Sequence, residues 1–314
     1  MTLERPQRIP AGPSPEDPDE HVVPEGQGGE RLDRYALSVL PALATVTHAK
    51  KAAKRGELLV GGEPRPPNYR VLDGDRLSFT GPPRPPPPIW RLALEVPFED
   101  EHMAVVVKPP GLAVSGNRFR SLEHSLLPHL TPSTERDALS WPRPVHRLDV
   151  RTGGLVMVAK TARTRAMLGK VLEQREASKR YRALLIGRLE GEGTVERSVG
   201  DRPSISRYRV VEHIRSLRTD WLTTVDLWPV TGRTHQLRQH ARHLGHPVLG
   251  DEIYGIEGSI LRGAGLFLWS LELKLEHPIT GAPLRVCIPE PPKFDSHRRR
   301  EARRWERYTE ADKT

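Results

Sequence analysis

The chain has 314 residues, a formal net charge of +9 and a single cysteine. That length exceeds the usual size of one hydrophobic core and predicts two folded units plus tails. One cysteine excludes an internal disulfide. No apolar run reaches bilayer-spanning length and no basic, apolar leader opens the chain, which argues against a membrane role and for a cytoplasmic protein.

Residues 1–30 hold seven acidic residues against two arginines and almost no large apolar side chains, so they read as a disordered acidic tail. The positive charge therefore belongs to the remainder, whose field would concentrate a polyanion such as nucleic acid. From Arg31 the pattern changes: Leu32, Tyr35, Ala36, Val39 and Leu40 mark one face of a short helix. A second helix is predicted over His48–Lys54, with Lys50, Lys51, Lys54 and Arg55 on a basic face and Gly56 ending it. Glu57–Val60, the Gly61-Gly62 turn and Asp73-Gly74-Asp75 before Arg76–Phe79 then predict a small hairpin sheet.

Residues 81–90 are dominated by proline and read as an extended, semi-rigid linker. Met103–Val107 reads as a buried strand and Lys108-Pro109-Pro110-Gly111-Leu112 as the turn after it. A helix is predicted over residues 162–175 and a strand from Tyr181. Strands and helices then alternate irregularly up to Pro292, without the spacing of a doubly wound sheet, so the unit 91–292 is predicted as α+β with a mixed, mainly antiparallel sheet. Cys287, within Leu284-Arg285-Val286-Cys287-Ile288, reads as a small buried hydrophobe. Residues 293–314 alternate Arg, Glu, Lys and Asp around Trp305 and read as an exposed helix or charged tail.

Two segments carry the chemistry. Val145-His146-Arg147-Leu148-Asp149-Val150-Arg151-Thr152-Gly153-Gly154 places one carboxylate between a His-Arg pair and a glycine turn. Gly232-Arg233-Thr234-His235-Gln236-Leu237-Arg238 is followed by Leu244-Gly245-His246-Pro247-Val248-Leu249-Gly250-Asp251. Together they resemble the RluA-type pseudouridine synthases, and residues 31–80 resemble an S-four-like RNA-binding domain at Arg31, Leu32, Asp33, Gly56, Glu57, Val60, Gly74 and Asp75. The resemblance implies an α+β catalytic domain behind a small α/β S-four-like domain, and an isomerase that converts uridine in structured RNA to pseudouridine, ribosomal RNA being favoured and transfer RNA the other option.

By the same resemblance Asp149 is the nucleophile, Arg238 its guanidinium partner and Tyr181 the aromatic that stacks on uracil and serves proton transfer. An arginine beside a buried carboxylate favours its anion, and helical spacing puts Leu237, Ala241 and Leu244 on the core side with Arg238 on the flank. Arg147, His146, Arg233 and His235 are expected to contact RNA near the site, and Lys50, Lys51, Lys54 and Arg55 to contact phosphates. Three departures from the family pattern stand out: Gly61 where Asn is usual, Gly153 where Ser is usual, and Trp269 where His is usual. The first is expected to alter a turn, the second backbone flexibility, the third the pocket wall.

The reaction needs no cofactor, and Gly263-Ala264-Gly265 is not a dinucleotide loop. His235, His240, His243 and His246 lack the acidic or thiol partners of a usual metal site. Structured RNA is the expected partner, with no membrane and no obligatory protein partner, the chain acting as a monomer. The competing readings are a non-catalytic RNA-binding or RNA-remodelling protein on the same fold, and a hydrolase using the same carboxylate.

Overall fold

The computed structural model describes residues 20–43, 45–82, 87–116, 118–256 and 263–311. The acidic tail up to residue 19, the linker residues 83–86 and the last three residues of the charged tail lie outside the described residues.

The amino-terminal unit comprises β1 (Glu20–Val22), α1 (Leu32–Val39), α2 (Val46–Lys54), β2 (Leu58–Val60), β3 (Glu63–Pro64) and β4 (Arg76–Phe79). Its sheet runs β1-β4-β2-β3, and Leu32, Leu40, Leu58, Val71 and Leu77 form its buried core. Thr45 caps α2 by accepting from the His48 N–H at 3.0 Å, which satisfies one of the donors a helix start leaves open. The Gly61-Gly62 turn has φ of 59° and 84°. Both central residues are left-handed, as a tight hairpin requires, so Gly61 supplies the geometry for which Asn is otherwise used.

One expectation is corrected here. Glu20–Val22 pairs with β4, Val23 is buried, and Asp73 accepts from the Gly26 and Gly28 N–H groups at 2.8 and 2.7 Å. The acidic segment therefore joins the fold ten residues before position 30. Its composition hid this, because the contacts are mostly polar: backbone bonds, His21 Nε2 to the Tyr35 hydroxyl at 3.2 Å, and one buried valine.

The second unit comprises β5 (Phe98–Glu99), β6 (Met103–Lys108), β7 (Ala138–Pro144), β8 (Gly153–Thr161), α3 (Ala162–Glu173), β9 (Ser178–Ile186), β10 (Glu192–Glu196), β11 (Ile205–Ser216), β12 (Asp220–Pro229), α4 (Gln236–His243), β13 (Leu268–Glu276), β14 (Pro283–Cys287) and α5 (Pro292–Ala311). Its ten-stranded sheet runs β10-β11-β12-β9-β13-β8-β6-β5, with β14 on β13 and β7 on β8. β13 and β8 pair in parallel, and the other described strand pairs are antiparallel. β8 is buried along its whole length, because side chains on both of its faces meet apolar layers.

Alternation along the strands separates those layers. Val156, Val158, Tyr181, Ala183 and Leu185 face one side with Leu237 and Ala241 of α4. Leu155 and Met157 face the other side with Leu168 of α3, and so do Leu184 and Ile186 with Phe294 of α5. The carboxy-terminal segment is thus a packed helix rather than a tail: Phe294, His297 and Glu301 are buried. Cys287 also departs from expectation. It lies on a strand, but Val286 and Ile288 take the inward positions and the thiol is exposed.

Candidate active site

Asp149 sits in the turn that leads into β8, and its carbonyl accepts from the Thr152 N–H at 3.0 Å. Leu148 beside it is buried in the core. The neighbouring loop holds this turn from behind. Lys108 is fully buried, and its Nζ donates to the carbonyls of Leu112, Pro109 and Val150 at 2.8, 3.0 and 3.3 Å. Burial lowers the Lys108 pKa to about 8, while the nearby Asp149 charge acts in the opposite sense. The sequence marked this lysine only as part of a turn.

The second segment arrives from α4. Arg238 Nη1 lies 3.7 Å from Asp149 Oδ2, and His235 Nε2 lies 3.8 Å from Asp149 Oδ1. Arg238 is not on a flank, as helical spacing predicted, but 2% exposed. Burying a guanidinium is costly unless it is paired. Asp251 provides the pair, accepting from Arg238 Nε and Nη2 at 2.7 Å each, and is itself fixed by the Ile253 and Tyr254 N–H groups at 3.0 Å. Burial opposes charge on both, yet the fork of hydrogen bonds raises the Arg238 pKa above its ordinary value and holds Asp251 below the ordinary carboxylate value. Arg238 thus remains a fixed cation beside Asp149. Tyr254 closes the arrangement, with its ring 5.0 Å from the Arg238 guanidinium and its hydroxyl 3.1 Å from His235 Nδ1.

Asp149, Tyr181, Arg238, Arg147, Arg233 and His235 line one cavity of about 580 Å³, within the roughly 300–1,000 Å³ range of small-ligand sites. Tyr181 is 7% exposed. Burial pushes its phenol up to about 12, the Asp149 charge acting in the same direction, so the hydroxyl stays protonated. Arg147 is exposed and Arg233 half-buried, and Arg233 Nε is buried without a partner among the described residues. His146 lines the cavity as well. Its Nε2 accepts from the Met157 N–H at 3.1 Å, its Nδ1 is buried, and burial, reinforced by Lys179, lowers its pKa well below the imidazole value. It braces β8 as a neutral ring.

On the remote basic helix, Arg55 is engaged by Glu57 at 2.6 Å and Lys50 lies 3.9 Å from Asp33. Lys51 and Lys54 are exposed. Of the four histidines that invited a metal reading, His240 Nε2 meets the Arg197 carbonyl and His246 Nδ1 the Ile186 carbonyl, both at 2.9 Å. Among the described residues no helix is long and apolar enough to cross a membrane.

Sequence reasoning missed three residues. Asp251 was in the quoted segment, and a lone acid among Val248-Leu249-Gly250 is itself a signal that a buried cation awaits it. Lys179, which lines the cavity and is lowered to about 8 by burial, shares a face of β9 with Tyr181, which the spacing of two would have shown. Tyr254 left no comparable signal.

The departures at 153 and 269 prove to be one feature. A Cβ on Gly153 would overlap the Trp269 ring, and the two residues are paired across β8 and β13. Trp269 packs on the sheet face opposite the cavity, so it does not reshape the pocket wall. Gly153 is small because the indole needs the space, not to change backbone flexibility.

Residues 102–243 match the family described as RNA pseudouridylate synthase. The chain is 31% identical over 306 residues to "Ribosomal large subunit pseudouridine synthase D" of Vibrio parahaemolyticus, covering 86% of this chain and 90% of the relative. It is 32% identical over 310 residues to the protein of the same name from Pseudomonas aeruginosa, covering 87% and 92%. Among solved structures it resembles Human RNA Pseudouridylate Synthase Domain Containing 1, at TM-score 0.53 and 27% identity over 63% of this chain and 84% of that one.

Proposed function

Since the chain belongs to the RNA pseudouridylate synthase family, and is thus an isomerase acting on uridine in RNA, we propose that its substrate is large-subunit ribosomal RNA and that Asp149 is its nucleophile. The observation that carries this is the carboxylate of Asp149 facing the Arg238 cation at 3.7 Å inside a cavity of nucleoside size. The relatives' printed names support the choice of RNA.

Isomerisation breaks the bond between the sugar C1′ and uracil N1, turns the base and joins C1′ to C5; the C5 proton leaves and N1 gains one. The target nucleotide must leave its stack to reach the cavity. Asp149 then attacks C1′, with the Arg238 cation fixed beside its carboxylate. The Tyr181 ring stacks on the detached base. Its phenol, protonated at any working pH, acts in the C5 proton transfer as a hydroxyl rather than as a standing phenolate. Arg147, Arg233 and His235 at the cavity, and Lys51 and Lys54 on α2, hold RNA phosphates. One chain supplies the whole cavity, which supports action as a monomer, and the substrate places the work in the cytoplasm.

Carbodiimide mapping of total RNA from cells with the gene, without it, and with Asp149→Ala restored tests the assignment. A large-subunit ribosomal uridine should lose its pseudouridine signal on deletion and regain it only with the intact protein. A signal restored equally by Asp149→Ala would rule out the carboxylate's role, and a lost signal confined to transfer RNA would move the substrate.

A further inference from the structure

We propose that the outward side of α5, together with β11, forms a second RNA-phosphate surface that extends from the rim of the cavity to the opposite face of the sheet and grips RNA structure outside the target loop. This rests on the ribosomal RNA reading of the cavity and deepens it: the substrate becomes a large folded RNA rather than a lone hairpin.

Arg299, Arg300, Arg303, Arg304 and Arg307 are exposed on one side of α5, against Glu306 as the exposed acid among them. Arg299 is paired with Asp295 at 3.0 Å and Arg304 with the inward Glu301 at 3.1 Å. Arg300, Arg303 and Arg307 have no acidic partner among the described residues. Arg299, Arg303 and Arg307 are four residues apart, so they form a row with steps of about 5–6 Å. Such a row adds self-repulsion and exposes its charge, which a polyanion would relieve.

The row is continuous with a path to the cavity. Ser206 and Arg207 pair with Pro229 and Trp228, and Pro229 is at the cavity lining, so the start of β11 adjoins the rim. Arg207 and Arg209 are exposed there, on one face of the strand. At the far end Arg215 lies 3.9 Å from the Trp221 ring centroid and 4.9 Å from that of Trp305 on α5. Aromatic faces interleaved with guanidinium groups suit nucleic acid better than a purely charged surface does. From Arg207 to Arg215 the strand extends about 27 Å, and α5 lies on the face of β9 opposite Tyr181. RNA seated in the cavity and on α5 must pass round the β10–β11 edge, which a short hairpin does not do.

The test compares the intact protein with Arg300→Gln/Arg303→Gln/Arg307→Gln, substitutions that keep helix propensity and remove only the bonds of Arg300 Nη2 to His297 Nδ1 at 2.7 Å and of Arg303 Nε to the Arg299 carbonyl at 3.3 Å among those described. Binding is measured across salt concentrations to a full-length large-subunit ribosomal RNA transcript and to a 20-nucleotide hairpin with a uridine loop. The triple variant should bind the transcript at least about 10-fold more weakly near physiological salt, with a salt slope reduced by about 2–3, and bind the hairpin unchanged. Unchanged affinity and slope for the transcript would overturn the proposal. So would equal weakening on the hairpin, since the face lies away from the cavity. A defect seen only on intact subunit particles would overturn it in favour of a protein partner. Pseudouridine formed by the wild-type protein in the same transcript is read in parallel; its absence there counts against the ribosomal reading, not against this surface.

Discussion

Truncating Asp251 removes the one acid that, among the described residues, is hydrogen-bonded to the Arg238 guanidinium, which is 2% exposed. Asp251→Ala is therefore expected to destabilise the protein by about 3–5 kcal/mol, the cost of leaving a buried charge without its partner, and to abolish turnover by freeing Arg238 from Asp149. Denaturant unfolding beside a turnover assay checks both; a variant of native stability would show that Arg238 needs no such anchor. Lys179 makes a separate claim. Burial lowers its pKa to about 8, so it is a cation below that pH and neutral above it. Turnover should fall as pH rises through about 8, and Lys179→Met should start lower and lack that limb. An unaltered alkaline limb in the variant would assign it to another group. The sequence made the acid–guanidinium pair of Asp149 and Arg238 legible because both sit in dense motifs. Asp251 and Lys179 went unread, although the lone acid after Val248-Leu249-Gly250 and the two-residue spacing of Lys179 from Tyr181 were both in the sequence.

Between elements, the parallel contact of β8 and β13 is the feature that places Asp149. Gly154 has φ 112°, and a Cβ there would overlap the Ser270 backbone. Gly153 and Trp269 share the space one step away. Gly153→Ser alone is expected to cost about 1–3 kcal/mol by overpacking, and combining it with Trp269→His should recover part of that, a coupling of about 0.5–3 kcal/mol in a double-mutant cycle. Strict additivity in thermal or denaturant unfolding would refute the pairing. The helices α1 to α3 and the strands β6 and β9 follow from periodicity and caps. The fate of residues 20–29 and of α5 does not, because one is held by backbone bonds to Asp73 and the other has its three inward residues, Phe294, His297 and Glu301, spread along a helix rich in arginine.

At the scale of the whole molecule, the amino-terminal unit is tied to the catalytic sheet through α3. Arg165 Nη2 donates to the carbonyls of Leu37 and Leu43 near the end of α1, and burial, with the Arg143 charge, lowers its pKa to about 10. A guanidinium at carbonyls that α1 leaves open joins the two units with one side chain. The basic helix α2 is thereby held relative to the cavity. The proline-rich residues 81–90 fall between the two sheets; the docking was not readable, since nothing local distinguishes Arg165 from its neighbours.

The account stands on Asp149 acting chemically rather than structurally. The direct measurement is release of the C5 hydrogen from a large-subunit ribosomal RNA transcript labelled with tritium at uridine C5, by the purified wild-type protein and by Asp149→Asn, with RNA binding measured alongside. The wild type should release tritium and Asp149→Asn none above background, while still binding the transcript with wild-type affinity. Release by Asp149→Asn at a rate near that of the wild type would contradict a chemical role for Asp149.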